Sequence, residues 1–112
     1  MRIDEALQYR ARLFALADRL AISKSKDYAA PHDIFTNIRA CEVFGVMSAE
    51  LGVWVRMADK VARLGNLLKD SEGREAVLDT VVDLINYATY VYLLLIEKDP
   101  AYARLIKEGE TK

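Results

Sequence analysis

The chain has 112 residues, which is enough for one domain with a modest core. Acidic and basic residues nearly cancel at a net charge of −1, and a binder of polymeric nucleic acid is usually basic, so we expect no such partner. One cysteine excludes an internal disulfide, and the charged N-terminus differs from a signal peptide. The apolar run 84–96 has 13 residues and is too short to span a bilayer. These features predict a cytoplasmic protein with no membrane segment.

Apolar residues recur at helical spacing throughout the chain, and alternating β-branched patterns are absent. The spacing predicts helices over about 3–23, 34–44, 49–69 and 75–96, and a last helix from Asp99-Pro100 to about Lys107. Ser48 is the predicted cap of the helix over 49–69, and the short connection 70–74 makes that helix antiparallel to the next. We therefore predict a single all-α domain over 1–112, a helical bundle of three long helices plus two short ones, with a disordered tail at about 108–112.

The apolar content predicts that association of copies completes the bundle. Hydrophobic residues make up 53% of the chain, which is high for a domain of this size. Apolar residues also surround Leu93 to Ile96 on both sides, and a helix face that becomes apolar requires cover. We therefore expect a homodimer or homotetramer.

The third long helix carries polar residues at fixed spacing opposite its apolar face. Glu75, Asp79, Asp83 and Asn86 follow one another at steps of four, four and three, so they are neighbours on the helix surface. Such a stripe is commonly a solvated face, but this one contains no lysine and its sector becomes apolar one turn later. Carboxylates suit Mg²⁺ or Mn²⁺, so Asp79, Asp83 and Glu75 are candidate metal ligands.

The second long helix carries a basic stripe with one embedded acid, formed by Arg56, Asp59, Lys60, Arg63 and Asn66. One interpretation is salt bridging within the helix through Asp59. The other is that the stripe faces the acids of the third long helix or the phosphates of a ligand, and both interpretations stay open. Acids on one helix and basic residues on its neighbour favour a polyphosphate site. The sequence has no Walker motif, no dinucleotide-binding glycine pattern and no His/Cys cluster for zinc.

Four short motifs occur in order within residues 20–95: K-x-x-D-Y (Lys24, Asp27, Tyr28), F-x-N (Phe35, Asn37), R-x-x-D-K-x-x-R (Arg56, Asp59, Lys60, Arg63) and D-x-x-x-D-x-x-N-Y (Asp79, Asp83, Asn86, Tyr87). In this order they resemble a phage and prophage family, the nucleotide-modification-associated domain of type one. That family is similar to the MazG-like all-α nucleoside triphosphate pyrophosphohydrolases. The resemblance implies a helical bundle that forms dimers or tetramers, binds a nucleotide and releases pyrophosphate with Mg²⁺.

The resemblance also implies roles for individual residues. The implied catalytic residues are Asp79, Asp83 and Lys60, and the implied metal ligands are Asp79 and Asp83 with help from Asp59 or Asn37. The remaining residues implied to meet the phosphates, base or sugar are Arg56, Arg63, Asn86, Lys24, Asp27, Tyr28 and Asn37.

One departure from the MazG pattern keeps other functions open. MazG proteins carry an E-E-x-x-E motif on an earlier helix, whereas Glu42 and Glu50 are isolated here. One alternative is therefore a non-catalytic protein that binds or sequesters nucleotides. Another is a structural helical oligomer in which the two polar stripes form a salt-bridge network.

Overall fold

The computed structural model describes residues 1–28, 47–69 and 72–111, with side chains as far as Ser23 in the first range. Over these ranges it contains four helices and no strand: α1 (Ile3–Tyr28), α2 (Ala49–Leu67), α3 (Arg74–Lys98) and α4 (Ala101–Glu110). The all-α fold class, the three long helices and the small C-terminal helix are thereby confirmed. The short helix predicted over 34–44 lies outside the described residues.

Two helix ends differ by three residues or more from their predicted positions. Helix α1 continues past Ser23 to Tyr28, because the intervening segment is polar but contains no glycine or proline that would break a helix. Helix α4 reaches Glu110, so residues 108–110, predicted as part of a disordered tail, are helical. At the start of α4, Asp99 Oδ1 accepts a hydrogen bond of 3.0 Å from the Ala101 backbone N–H, as a capping carboxylate does.

Ser48 occupies the N-cap position of α2 in extended backbone conformation, as predicted. Its hydroxyl makes no capping hydrogen bond to the α2 backbone, so this part of the prediction is wrong.

Helix α3 is the central element, because α1, α2 and α4 each pack against it. Ion pairs join Glu50 to Lys98 and Lys60 to Asp83, so residue numbers rise along α2 as they fall along α3. The predicted antiparallel arrangement of these two helices is confirmed.

The core lies between α2 and α3, where Ala49 and Val53 meet Leu94. Partly buried side chains that pack around this centre are Met57, Tyr87, Tyr90 and Val91. Leu94 and Tyr90 lie in the sector where the acidic stripe of α3 becomes apolar. The cover that we expected for this sector is therefore supplied by α2 of the same chain.

The apolar residues of α2 recur at helical spacing, but they do not form one face. Val53 and Met57 contact the core, whereas Trp54, Val61 and Leu68 are exposed. The reason is geometric, since adjacent positions on a helix point about 100° apart and apolar residues occupy both sides of α2.

By length and composition alone, α3 could cross a membrane, and 22% of its most apolar 18-residue window is buried. The core helix of a soluble protein can meet the same criterion. Here α3 is contacted by the other three described helices. It also carries Asp83 and Lys98, each of which forms an ion pair with a residue of α2.

The Glu50–Lys98 ion pair predicts a measurable pH dependence of stability. The hydrogen bond from Lys98 lowers the pKa of Glu50 below its usual value of 4.5 and outweighs the opposing effect of burial. A carboxyl group whose pKa is lowered by folding stabilises the fold above its unfolded pKa, and this stabilisation is lost as the pH falls through the folded pKa. We expect Lys98→Met to raise the pKa of Glu50 and to weaken the loss of stability below about pH 4.5.

Urea unfolding of both proteins between about pH 7 and about pH 3 checks this prediction. At about pH 7 the wild type should have a larger free energy of unfolding than Lys98→Met, and this difference should shrink as the pH falls. A constant difference across the range would show that this pair does not contribute to acid sensitivity. Lys107→Met, which changes an exposed lysine on α4, is the matched control.

Candidate functional site

A polar cleft lies between α2 and α3 and is bordered by α1. It has a volume of about 300 Å³ and is lined by Leu20, Lys60, Arg63, Asp79, Thr80 and Asp83. This volume is at the lower end of the range for small-molecule sites, which suits a phosphate group with its ions better than a whole nucleotide. A larger ligand would extend out of the cleft into solvent.

An ion pair between α2 and α3 forms the centre of this cleft. Lys60 Nζ lies 2.9 Å from Asp83 Oδ2, and the two side chains are 26% and 15% exposed. Charges withdrawn from water to this extent require a partner of opposite sign. The basic stripe of α2 therefore faces the acids of α3 at Lys60, which was one of the two interpretations left open.

Helix geometry explains why two cations and two carboxylates meet here. Lys60 and Arg63 are separated by three positions on α2, and Asp79 and Asp83 by four positions on α3, so each pair occupies one face of its helix. The antiparallel packing places these two faces against the same cleft. The cations can bind phosphate oxygens, and the carboxylates can bind a hard divalent cation.

Thr80 and Leu20 line the cleft although the sequence did not identify them as site residues. The Thr80 hydroxyl donates a hydrogen bond of 2.7 Å to the Ala76 carbonyl, one turn earlier on α3. It is buried and satisfied within its own helix, so its role here is to shape the wall. In the sequence, only the position of Thr80 next to Asp79 indicated that it could belong to the site. No sequence pattern linked Leu20 to α3.

Several predicted site residues lie elsewhere in the structure. Asp59 is exposed and lines no part of the cleft, because it points about 100° away from Lys60 on α2. Arg56 is partly buried but is also outside the lining. Glu75 lines a separate surface cleft at the start of α3, which it shares with Asp79.

Asn86, which is among the residues predicted to contact a ligand, forms a hydrogen bond to α1. Its Nδ2 atom donates a hydrogen bond of 3.1 Å to the carbonyl oxygen of Ala17. This bond ties α3 to α1 and, together with Leu20 in the cleft lining, orders the middle of α1 beside the site.

The remaining predicted residues belong to the part of the chain whose side chains are outside the description. Lys24, Asp27 and Tyr28 are in the last turns of α1, and Asn37 follows that helix.

The residues of the cleft fit a divalent cation that enters together with phosphate. Within the described ranges, no group of three or more His, Cys, Asp or Glu side chains is placed to hold a metal ion. Mg²⁺, however, commonly takes one or two carboxylates and completes its shell with water and substrate phosphates. Asp79 and Asp83 match that requirement, whereas a resident cation held by protein ligands alone does not fit them.

No protein-family model, curated protein or solved structure matches this chain.

Proposed function

We propose that the cleft binds the phosphates of a nucleoside triphosphate together with Mg²⁺, and that the protein is a pyrophosphohydrolase-like enzyme of nucleotide metabolism or modification. The observation that carries this proposal is the meeting of Lys60 and Arg63 with Asp79 and Asp83 in one cleft. The motif resemblance to phage-type and MazG-like proteins supports the same class of substrate. The proposal includes a cytoplasmic location and association into dimers or tetramers.

The four charged side chains divide the binding between them. Asp79 and Asp83 would hold Mg²⁺, which when bound neutralises phosphate charge and orients the phosphate chain. Lys60 and Arg63 neutralise the charge on the phosphate oxygens that do not face the cation. The base and sugar extend outward, because the cleft holds little more than the phosphates.

Binding requires the Lys60–Asp83 pair to exchange partners. Without ligand, each charge compensates the other across 2.9 Å. With Mg²⁺ and phosphate both bound, the Asp83 carboxylate would hold the cation and the Lys60 ammonium would bind phosphate oxygens. Because either ligand alone would leave one of these charges without its partner, binding of Mg²⁺ and nucleotide should be strongly cooperative.

A panel of nucleoside and deoxynucleoside triphosphates with Mg²⁺ tests the enzymatic proposal through pyrophosphate release. We expect release with at least one member of the panel and its loss in Asp79→Asn, which removes one carboxylate from the cleft. Asp59→Asn is the matched control, because it makes the same change at an exposed position outside the lining and should retain the wild-type rate. Absence of pyrophosphate with every triphosphate would reject catalysis.

A non-catalytic nucleotide binder is the second candidate function. The observation in its favour is that no third carboxylate of the described chain joins Asp79 and Asp83. Glu50, one of the two isolated glutamates, instead pairs with Lys98 away from the cleft. A binder of this kind would show Mg²⁺-dependent heat of nucleotide binding in calorimetry with no pyrophosphate release. A purely structural role predicts that no nucleotide changes the melting temperature.

A further inference from the structure

The polar stripe of α3 (Glu75, Asp79, Asp83 and Asn86) ends in an amide, and this amide has a different partner from the carboxylates that precede it. The Nδ2 atom of Asn86 donates a hydrogen bond of 3.1 Å to the backbone carbonyl of Ala17 on α1. A carbonyl oxygen only accepts hydrogen bonds, and an ionised carboxylate has no proton to donate. An asparagine can therefore make this contact, whereas an ionised aspartate cannot.

This hydrogen bond lies one helical turn from the cleft on both helices. On α3, Asn86 follows Asp83 by three positions, and on α1, Leu20 follows Ala17 by three positions. Residues three apart are neighbours on one face of a helix, with Cβ atoms about 5–6 Å from each other. Because Asp83 and Leu20 both line the cleft, the bond fixes α1 at the place where α1 supplies a wall of the site.

The attachment of α1 to the rest of the described chain is narrow. Among the described helices, α1 packs against α3 alone. Ala17 is 1% exposed at this contact, whereas Leu7 and Ile22, on either side of it along α1, are exposed. The small side chain of Ala17 leaves its backbone carbonyl within reach of a side chain from α3. The position of Leu20 therefore depends on the contact between Asn86 and Ala17.

Leu20 contributes an apolar side chain to a cleft whose other lining residues are four charged groups and Thr80. The ion pair in the cleft is largely withdrawn from water, since Lys60 and Asp83 are 26% and 15% exposed. Interactions between charges are stronger where water is excluded. An apolar wall beside these charges therefore strengthens their interaction with phosphate and a cation.

We propose that Asn86 is a positioning residue of the cleft, which through its hydrogen bond to the Ala17 carbonyl holds Leu20 in the wall, and that Leu20 excludes water from the phosphates and the cation that bind there. This role rests on the proposed function. Asn86 itself is not part of the cleft lining, so it acts through α1 and not by contact with the ligand.

Calorimetric titration with inorganic diphosphate and Mg²⁺ measures binding in the cleft without a contribution from base or sugar. Asn86→Leu removes the donor at a similar side-chain size and should weaken binding about tenfold. Leu20→Ala removes the apolar wall directly and should weaken binding to a similar degree. Asn66→Leu and Leu7→Ala make the same changes at exposed positions outside the lining, and both should bind within about twofold of the wild type.

The double variant L20A/N86L separates positioning from direct contact. If Asn86 acts through Leu20, its loss has little effect once the Leu20 side chain is gone, so the double variant should bind at most about threefold more weakly than either single variant. Independent contributions would multiply to a loss of about a hundredfold. Circular dichroism verifies that the helices are retained. If Asn86→Leu fails to fold, Asn86→Ser, whose hydroxyl is too short to reach the carbonyl, takes its place.

The methyl NMR signals of Leu20 report its position directly. In the wild type they should shift when Mg²⁺ and inorganic diphosphate are added, because Leu20 lines the cleft. In Asn86→Leu they should differ before the addition and respond less to it, while Asn66→Leu should reproduce the wild-type signals. A loss of overall stability alone would not change these signals in the folded protein.

Three results would overturn the proposal while leaving the proposed function intact. One is an Asn86→Leu protein that binds diphosphate and Mg²⁺ as tightly as the wild type. Another is a double variant with the full multiplied loss, which would assign Asn86 an effect independent of Leu20. The last is a set of Leu20 methyl signals that Asn86→Leu does not change. If the wild type binds neither diphosphate nor a nucleoside triphosphate with Mg²⁺, the proposed function fails, and the positioning role fails with it.

Discussion

Asp83→Asn should abolish Mg²⁺-dependent nucleotide binding and should also lower the free energy of unfolding by about 1–3 kcal/mol. The first effect follows because the neutral amide oxygen lacks the negative charge with which a carboxylate holds a hard divalent cation. The second follows because Lys60 would lose its partner at 2.9 Å while only 26% of its side chain is exposed. Removal of one partner costs about 3–5 kcal/mol in a fully buried pair and under about 1 kcal/mol in an exposed one, and this pair lies between them.

Asp79→Asn separates the two effects, because Asp79 is exposed on the same face one turn earlier. It should lose nucleotide binding while its free energy of unfolding stays within about 0.5 kcal/mol of the wild-type value. Urea unfolding and calorimetry of the two variants check this difference. If Asp83→Asn were as stable as the wild type, the ion pair would have no structural role. If it still bound nucleotide with Mg²⁺, Asp83 would not be a ligand.

Leu94→Ala should lower the free energy of unfolding by about 2–4 kcal/mol, the range for a buried leucine that leaves a cavity. Leu94 is 3% exposed and contacts the small buried cluster of Ala49 and Val53. Because few side chains of the described ranges are fully buried, the loss of one should remove a large share of a total stability that is typically about 5–15 kcal/mol. At roughly 5 °C per kcal/mol, the melting temperature should fall by about 10–20 °C.

Leu93→Ala is the matched control for this prediction, because it makes the same change at the adjacent position, which is 37% exposed. It should cost less than about 1.5 kcal/mol, in proportion to the smaller area withdrawn from water. Thermal melts of both variants at a low, fixed protein concentration keep association from affecting the comparison. Equal losses in the two variants would mean that the core is not centred between α2 and α3.

The sequence predicts the fold class and the helix pairing because both depend on local patterns. Helical spacing of apolar residues identifies the three long helices, and the short connection between α2 and α3 forces them to be antiparallel. That pairing is enough to bring Lys60 opposite the acidic stripe, although it does not identify Asp83 as the partner. The choice among the acids depends on the relative rotation of the two helices, which the whole core determines.

The sequence could not assign α2 its correct inner face. Val53 and Trp54 are adjacent apolar residues, and composition alone does not decide which of them points toward α3. The structure places Val53 in the core and Trp54 in solvent. Asn86 shows the same limit, since its position in a polar stripe does not reveal that it bonds to the Ala17 carbonyl.

The direct test of the proposed site is a map of backbone amide chemical shifts during titration with a non-hydrolysable nucleoside triphosphate analogue and Mg²⁺. We predict that the largest changes occur at Lys60 and Arg63 on α2 and from Asp79 to Asp83 on α3. We also predict that removing Mg²⁺ with a chelator reverses them. Shifts confined to other surfaces, or the absence of shifts with any nucleotide at millimolar concentration, would contradict a nucleotide site in this cleft.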